Sequence, residues 1–164
     1  MIQTAFYDDP YGRYVMAAED GALTGLWLEG QKYFPSDLPE PSGEEAEIFA
    51  RTRRWLDAYF AGRQPDVSAL PMAPRGSAFA QSVWQLLLEI PYGQTVSYGE
   101  VAKRLADQRG LSQLSAQAVG GAAGHNPISI IIPCHRVLGA KNQLTGYAGG
   151  LDVKTFLLKL EGVL

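Results

Sequence analysis

The chain of 164 residues contains one cysteine and two histidines. A single thiol excludes an internal disulfide. Because Cys134 and His135 are adjacent, these three groups also lack the spacing of a structural zinc site. No uncharged apolar run approaches the roughly 20 residues needed to span a bilayer. Residues 1–10 hold aromatic and acidic side chains where a secretory signal needs a basic flank and an apolar stretch. The expectation is a cytoplasmic protein without membrane association, metal or cofactor. Positive charge is scarce as well, with a net charge of −3. The deficit is uneven: residues 1–75 carry seven Lys/Arg against twelve Asp/Glu, and residues 76–164 carry seven against five. A nucleic-acid-binding surface would therefore lie in the second part, because neutralised phosphates supply most non-specific affinity.

Segments 2–7, 14–18 and 23–28 alternate in the manner of strands, with Asp9-Pro10-Tyr11-Gly12 and Asp20-Gly21 as turns between them. Over 44–60, Ile48, Phe49, Trp55, Leu56, Tyr59 and Phe60 recur at helical spacing, and Gly62 follows as a stop. Pro65, Pro71 and Pro74 mark a linker, since proline removes a donor and fixes φ. The expected fold is α+β in two domains. Residues 1–75 form a small antiparallel sheet with one helix, and residues 76–164 form a mostly helical domain.

In the second part a helix opens at Ser77, with Phe79, Val83, Leu86, Leu87 and Ile90 on one face, and Pro91-Tyr92-Gly93 ends it. Ser97-Tyr98-Gly99-Glu100 has the form of a capping box that starts a short helix. A further short helix from Leu114-Ser115 to Ala123 is built almost wholly of small residues. The pair suggests a helix-turn-helix unit. The β-branched run 128–132 reads as a buried strand that ends at Pro133 and delivers Cys134. Beyond a glycine-rich loop, residues 151–160 form a last helix with Val153, Phe156, Leu157 and Leu160 inward.

Cys134 stands between a proline and His135-Arg136, so an imidazole and a guanidinium flank the thiol in sequence, and nearby positive charge favours the thiolate. Ile132-Pro133-Cys134-His135-Arg136-Val137 resembles the signature of the O6-alkylguanine-DNA alkyltransferases. The resemblance continues through 90–98, Val119-Gly120-Gly121-Ala122, Asn126-Pro127, Gly146-Tyr147, Gly149-Gly150-Leu151 and 157–162. It covers essentially all of 77–162, whereas the first segment is similar only in layout.

The resemblance implies direct-reversal DNA repair, with one alkyl group moved irreversibly from O6 of a flipped guanine in duplex DNA to Cys134. It implies that His135 takes the thiol proton through water and that Glu161 orients the imidazole. Tyr98 would protonate the departing base, and Asn126 would tie the backbone of the active-site turn. Val137, Tyr147 and Ala148, together with Tyr98, would line the base pocket. Ala148 stands where the family often has a hydroxyl residue. For DNA contact it implies Ala116, Gln117, Gly120, Thr95 and Ser97, and the cations Lys103, Arg104, Arg109, Arg136 and Lys141 of this part are the phosphate-contact candidates by charge. The partner would be double-stranded DNA carrying O6-alkylguanine, met by a monomer.

One position departs from the pattern. Gln117 stands where the family places the arginine that fills the gap left by the flipped base, and glutamine lacks the charge and the planar fork. Either Gln117 intercalates less effectively or Arg109 supplies part of the missing charge. Two other functions compete: a lesion-binding protein without transfer activity, whose members lack the cysteine that this chain keeps, and a thiol hydrolase, for which adjacent Cys and His are badly placed.

Overall fold

Asp9 makes the first turn by local hydrogen bonding, its Oδ1 accepting from the backbone N–H of Tyr11 at 2.7 Å and of Gly12 at 3.0 Å. This turn joins β1 (Gln3–Asp9) to β2 (Gly12–Glu19), and β3 (Ala22–Leu28) completes an antiparallel sheet in the order β1-β2-β3. Register runs from Gln3 opposite Ala18 to Asp9 opposite Gly12. The second edge of β3 is covered. Leu23 N–H donates to the Pro71 carbonyl at 2.9 Å, and Leu26 N–H donates to that of Pro127 at 2.8 Å. Such cover removes part of an open pairing edge.

The computed structural model describes residues 1–41 and 45–164, which divide into two units. One is Met1–Arg75 with Pro127–Ser129, and the other is Gly76–Asn126 with Ile130–Leu164. In the first unit α1 (Glu47–Phe60) lies against β2 and β3 and buries Ile48, Phe49, Thr52, Trp55, Leu56 and Tyr59. The expected helix start at Glu44 lies outside the described residues. Tyr7 ties helix to sheet, its hydroxyl donating to Asp57 Oδ1 at 2.8 Å.

Three serines start the helices of the second unit. Ser77 caps α2 (Ala78–Leu87), Ser97 caps α3 (Tyr98–Arg109) and Ser115 caps α4 (Ala116–Gly124). Each hydroxyl accepts from a backbone N–H three residues on, a bond worth about 1 kcal/mol. α3 stops where Gly110 adopts φ +68°, a left-handed conformation that only glycine takes without strain. α2, α3 and α4 pack on one another and bury Val83, Leu86, Leu87, Val101, Leu105, Val119 and Ala123, an arrangement in which α3 and α4 form a helix-turn-helix pair. Two further elements are too short to show in a pattern. β4 (Val96–Ser97) pairs in parallel with β5 (Val137–Leu138), and so holds the entry of α3 beside the chain that follows Cys134. α5 (Leu151–Leu160) closes the unit.

The run 128–132 is not a strand. Ile128 makes a single bridge to Leu26 and the chain then turns through Ser129, Ile130 and Ile131, with Ile130 buried at φ +70°. Left-handed backbone is strained for a β-branched residue. It persists here because the Asn126 amide holds the Ile132 carbonyl at 2.8 Å and curls the segment back. Cys134 therefore stands in a 3-10 turn, Cys134–Arg136, rather than at the end of an extended segment. Among the described residues, no helix is long and apolar enough to cross a membrane.

Candidate active site

The thiol is almost enclosed, with Cys134 only 8 % exposed. Asn126 Nδ2 donates to Sγ at 3.3 Å while holding the Ile132 carbonyl, so one side chain shapes the turn and touches the sulfur. Burial pushes the Cys134 thiol up, and the Asn126 amide and the charge of Lys154 counteract this only in part. Burial thus favours the thiol over the thiolate, in the sense opposite to that drawn from the flanking residues. Neither His135 nor Arg136 supplies the charge, because both are committed elsewhere.

His135 is fully buried, and its Nε2 lies 2.6 Å from Glu161 Oε2. An ionised carboxylate can only accept, so Nε2 carries the proton of this hydrogen bond. Burial lowers the His135 pKa, against the opposing pull of Glu161. Burial pushes the Glu161 carboxyl up, but bonds from His135, Arg136 and the Gly93 N–H prevail and bring it down to about 2. The acid expected to orient the imidazole is therefore placed to do so.

Arg136 requires a second correction, because it is buried rather than directed outward. Its Nε donates to Glu161 Oε1 at 2.8 Å, its Nη2 to Oε2 at 3.1 Å and its Nη1 to the Ile90 carbonyl at 2.7 Å. A guanidinium spent on three internal bonds is not a phosphate contact. The reason lies in the chain geometry, since the 3-10 turn points this side chain at the C-terminal end of α5.

Lys154 was not singled out from the sequence. It is fully buried on α5, with Nζ donating to the carbonyls of Val137 at 2.7 Å and Thr145 at 3.1 Å. Desolvation lowers its pKa to about 8, with the Cys134 thiolate acting in the opposite sense. The same ammonium lies 5.8 Å from the centre of the Tyr98 ring. Burial raises the Tyr98 pKa, a hydrogen bond with Thr145 opposes the rise, and the Cys134 charge adds to it. Cys134, Asn126, Lys154 and Tyr98 thus form one electrostatic group, and His135, Glu161 and Arg136 form the adjoining one.

Val137 is buried in β5, and Tyr147 and Ala148 are half-buried in the loop that leads into α5. On α4, Ala116 and Gln117 are exposed and Gly120 is half-exposed. A Cβ built at Gly120 would meet the Tyr98 ring at 3.9 Å, an ordinary contact, so internal packing does not require glycine there. Thr95 and Ser97 are half-buried, and Ser97 serves as the α3 cap. Arg109 has partners on α2, donating to Ser82 Oγ at 3.1 Å with its guanidinium over the Phe79 ring. With Arg136, Lys154 and Glu161 inside, the second unit exposes five cations, Lys103, Arg104, Arg109, Lys141 and Lys159, against four acids. Among the described residues, no group of three or more His, Cys, Asp or Glu is placed to hold a metal ion.

A helix-turn-helix pair followed closely by a buried, braced thiol is the arrangement expected of a DNA-binding protein that carries its own acceptor sulfur. Two family models match almost the whole chain. The 6-O-methylguanine DNA methyltransferase ribonuclease-like domain matches residues 2–74, and the DNA-binding domain of the same name matches residues 78–163. The chain belongs to this family. It is 43% identical to the methylated-DNA–protein-cysteine methyltransferase of Methanosarcina acetivorans, over 96% of this chain and 97% of the relative. It is 45% identical to the one of Mycobacterium leprae, over 98% and 93%. Among solved structures it resembles the Mycobacterium tuberculosis O6-methylguanine methyltransferase, at 44% identity and TM-score 0.79 over 98% of this chain and 93% of that one. It also resembles the M. tuberculosis protein in complex with DNA, at 42% identity and the same TM-score over 98% and 91%.

Proposed function

We propose that this protein repairs O6-alkylguanine in double-stranded DNA by moving the alkyl group onto Cys134, once per molecule. The observation that carries the reading is the buried Cys134 thiol, held between the Asn126 amide and the Lys154 charge, with the His135–Glu161 pair on the same turn. A base stacked in a duplex cannot reach such a thiol, so the nucleotide must be extruded at a cost of a few kcal/mol. α4 would enter the minor groove, its small exposed residues allowing close approach, and Gln117 would occupy the gap.

In the reaction the sulfur attacks the alkyl carbon. The C–O6 bond breaks as the S–C bond forms, and its electron pair leaves on guanine. The thiol proton passes through water to Nδ1 of His135, and the resulting imidazolium is stabilised by Glu161. Tyr98 supplies the proton that the leaving guanine gains at N3, and burial, which raises its pKa, makes the nearby Lys154 charge necessary to that donation. His135 then holds the sulfur's proton and Tyr98 has given up its own, so the imidazolium and phenolate left behind are opposite charges that proton exchange through water returns to neutral. Lys154 lowers the cost of the passing thiolate and of the phenolate on Tyr98. The thioether product is a poor leaving group, so the protein is consumed.

In this reading the residues of 76–164 carry the whole of this chemistry. A duplex-DNA substrate supports a cytoplasmic location, with the DNA, and transfer of one alkyl group per chain supports action as a monomer. Incubation with an excess of duplex containing O6-methylguanine tests the reading. One lesion lost per protein molecule, with no turnover, is expected. Continued turnover, or lesion binding without loss, would overturn it.

A further inference from the structure

The Glu161 carboxylate accepts four hydrogen bonds. Oε2 accepts from His135 Nε2 at 2.6 Å and from Arg136 Nη2 at 3.1 Å. Oε1 accepts from Arg136 Nε at 2.8 Å and from the Gly93 N–H at 3.0 Å. The His135 and Glu161 side chains are 0% exposed and that of Arg136 is 11% exposed. The guanidinium is itself fixed, by Nη1 on the Ile90 carbonyl and by the Tyr92 ring 5.7 Å away. A bidentate guanidinium is the strongest and most directional partner a carboxylate can have.

Charge counting gives this arrangement a consequence. In a dry interior, a carboxylate alone beside an imidazole favours imidazolium, and imidazolium cannot accept the thiol proton. With Arg136 on the same carboxylate, the group is neutral overall only while the imidazole is uncharged. Protonating the ring would leave a net positive charge buried, next to the further charge of Lys154.

We propose that Arg136 is a positioning residue: its fork holds Glu161 in place for His135 and balances the carboxylate's charge, so that His135 remains an uncharged base at neutral pH. The inference deepens the alkyl-transfer reading and rests on it for the role of His135. Among the described residues, the charged groups that act on the ring are Glu161 at the C-terminal end of α5, Lys154 within α5 and Arg136 of its own turn, with the Cys134 thiol next to it in that turn. Of these, only Arg136 both touches Glu161 and opposes its effect on the ring.

The test uses 15N-histidine labelling, which the presence of only two histidines makes simple. A His125→Gln background leaves the His135 ring as the single signal. In the otherwise unaltered protein the ring is expected to be neutral, with the proton on Nε2, at pH 7. In Arg136→Gln its titration moves upward by about one pH unit, a tenfold change in the protonation equilibrium. The single-turnover transfer rate follows, and loses about tenfold more at low pH than at high pH. A merely structural role would lower the rate equally at all pH values. Arg136→Lys keeps the charge but not the fork, so the titration stays near that of the parent while the rate falls.

An imidazolium at pH 7 in the parent protein would overturn the proposal. So would an unmoved titration in Arg136→Gln, or an unchanged rate in Arg136→Lys. Should Arg136→Gln not fold, the parent ring and Arg136→Lys decide. The ring titration needs no substrate, so it separates a failure of this inference from a failure of alkyl transfer itself.

Discussion

Lys154 donates from Nζ to the Val137 carbonyl at 2.7 Å, which anchors a fully buried ammonium beside the chain segment that carries the thiol. Its charge is the cationic contribution that acts on Cys134. Replacing it with an uncharged residue of similar volume removes that contribution. In Lys154→Met the Cys134 thiol should titrate higher still, by about one unit, and transfer at neutral pH should slow about tenfold. Thiol alkylation by a small reagent across pH measures the first effect and single-turnover repair the second. If neither changes, Lys154 has no electrostatic part in the reaction.

This lysine also shows where sequence reading stops. Helical periodicity put Val153, Phe156, Leu157 and Leu160 inward on α5, but the buried stripe is Val153, Lys154, Leu157 and Leu158. A lysine is assigned to solvent by default, and only the pairing 153/154 with 157/158 would have placed it inside. Arg136 went astray for the same reason: a cation read from sequence has no visible partner, and Glu161 lies 25 residues away. The β-branched run at 128–132 read as a strand because propensity cannot register the Asn126 side chain that curls it. By contrast, the Ser97 cap, the helix starts at Ser77 and Leu114-Ser115, the helix-turn-helix pair and the identity of the thiol were legible, because each rests on local chemistry within a few residues.

Asn126 joins the turn to the sulfur, so Asn126→Ala should act twice. Leaving the buried Ile132 carbonyl unpaired costs about 1–3 kcal/mol of stability, read by denaturant unfolding. Loss of the Nδ2–H bond to Sγ should also push the thiol further up, since an amide N–H favours thiolate. A variant with parental stability and parental thiol reactivity would contradict both statements.

Glu161 gives the fold an acid-sensitive component. Its folded pKa of about 2 lies below the ordinary value of 4.5, so its contribution to stability is complete above about pH 4.5. That contribution is lost as pH falls from there through 2. The stability difference between the parent and Glu161→Gln should therefore shrink over this window, as measured by unfolding at a series of pH values. A difference that stays constant below pH 4.5 would mean that the ionised carboxylate is not the stabilising form.

Gln117 is exposed on α4, in a unit whose surface cations barely outnumber its acids. Gln117→Arg should tighten binding to duplex DNA at low salt and steepen the salt dependence by about one charge, because one more phosphate is neutralised. It should also speed repair, because a planar fork fills a vacated base site better than an amide does. Affinity and rate unchanged at low salt would show that position 117 does not enter the duplex. Arg109→Ala, by comparison, tests whether an exposed cation held by Ser82 and Phe79 of α2 supplies part of the charge that Gln117 lacks: weaker binding at low salt is expected if it does, and unchanged affinity would show that it does not.

The most direct measurement follows the alkyl group itself. A duplex carrying O6-methylguanine with an isotopically labelled methyl is incubated with the protein, which is then digested and its peptides weighed. The account predicts the label on the sulfur of Cys134, one per chain, with unmodified guanine left in the DNA. Label released to solvent or found on another residue would contradict it, as would lesion removal at the parental rate by Cys134→Ser.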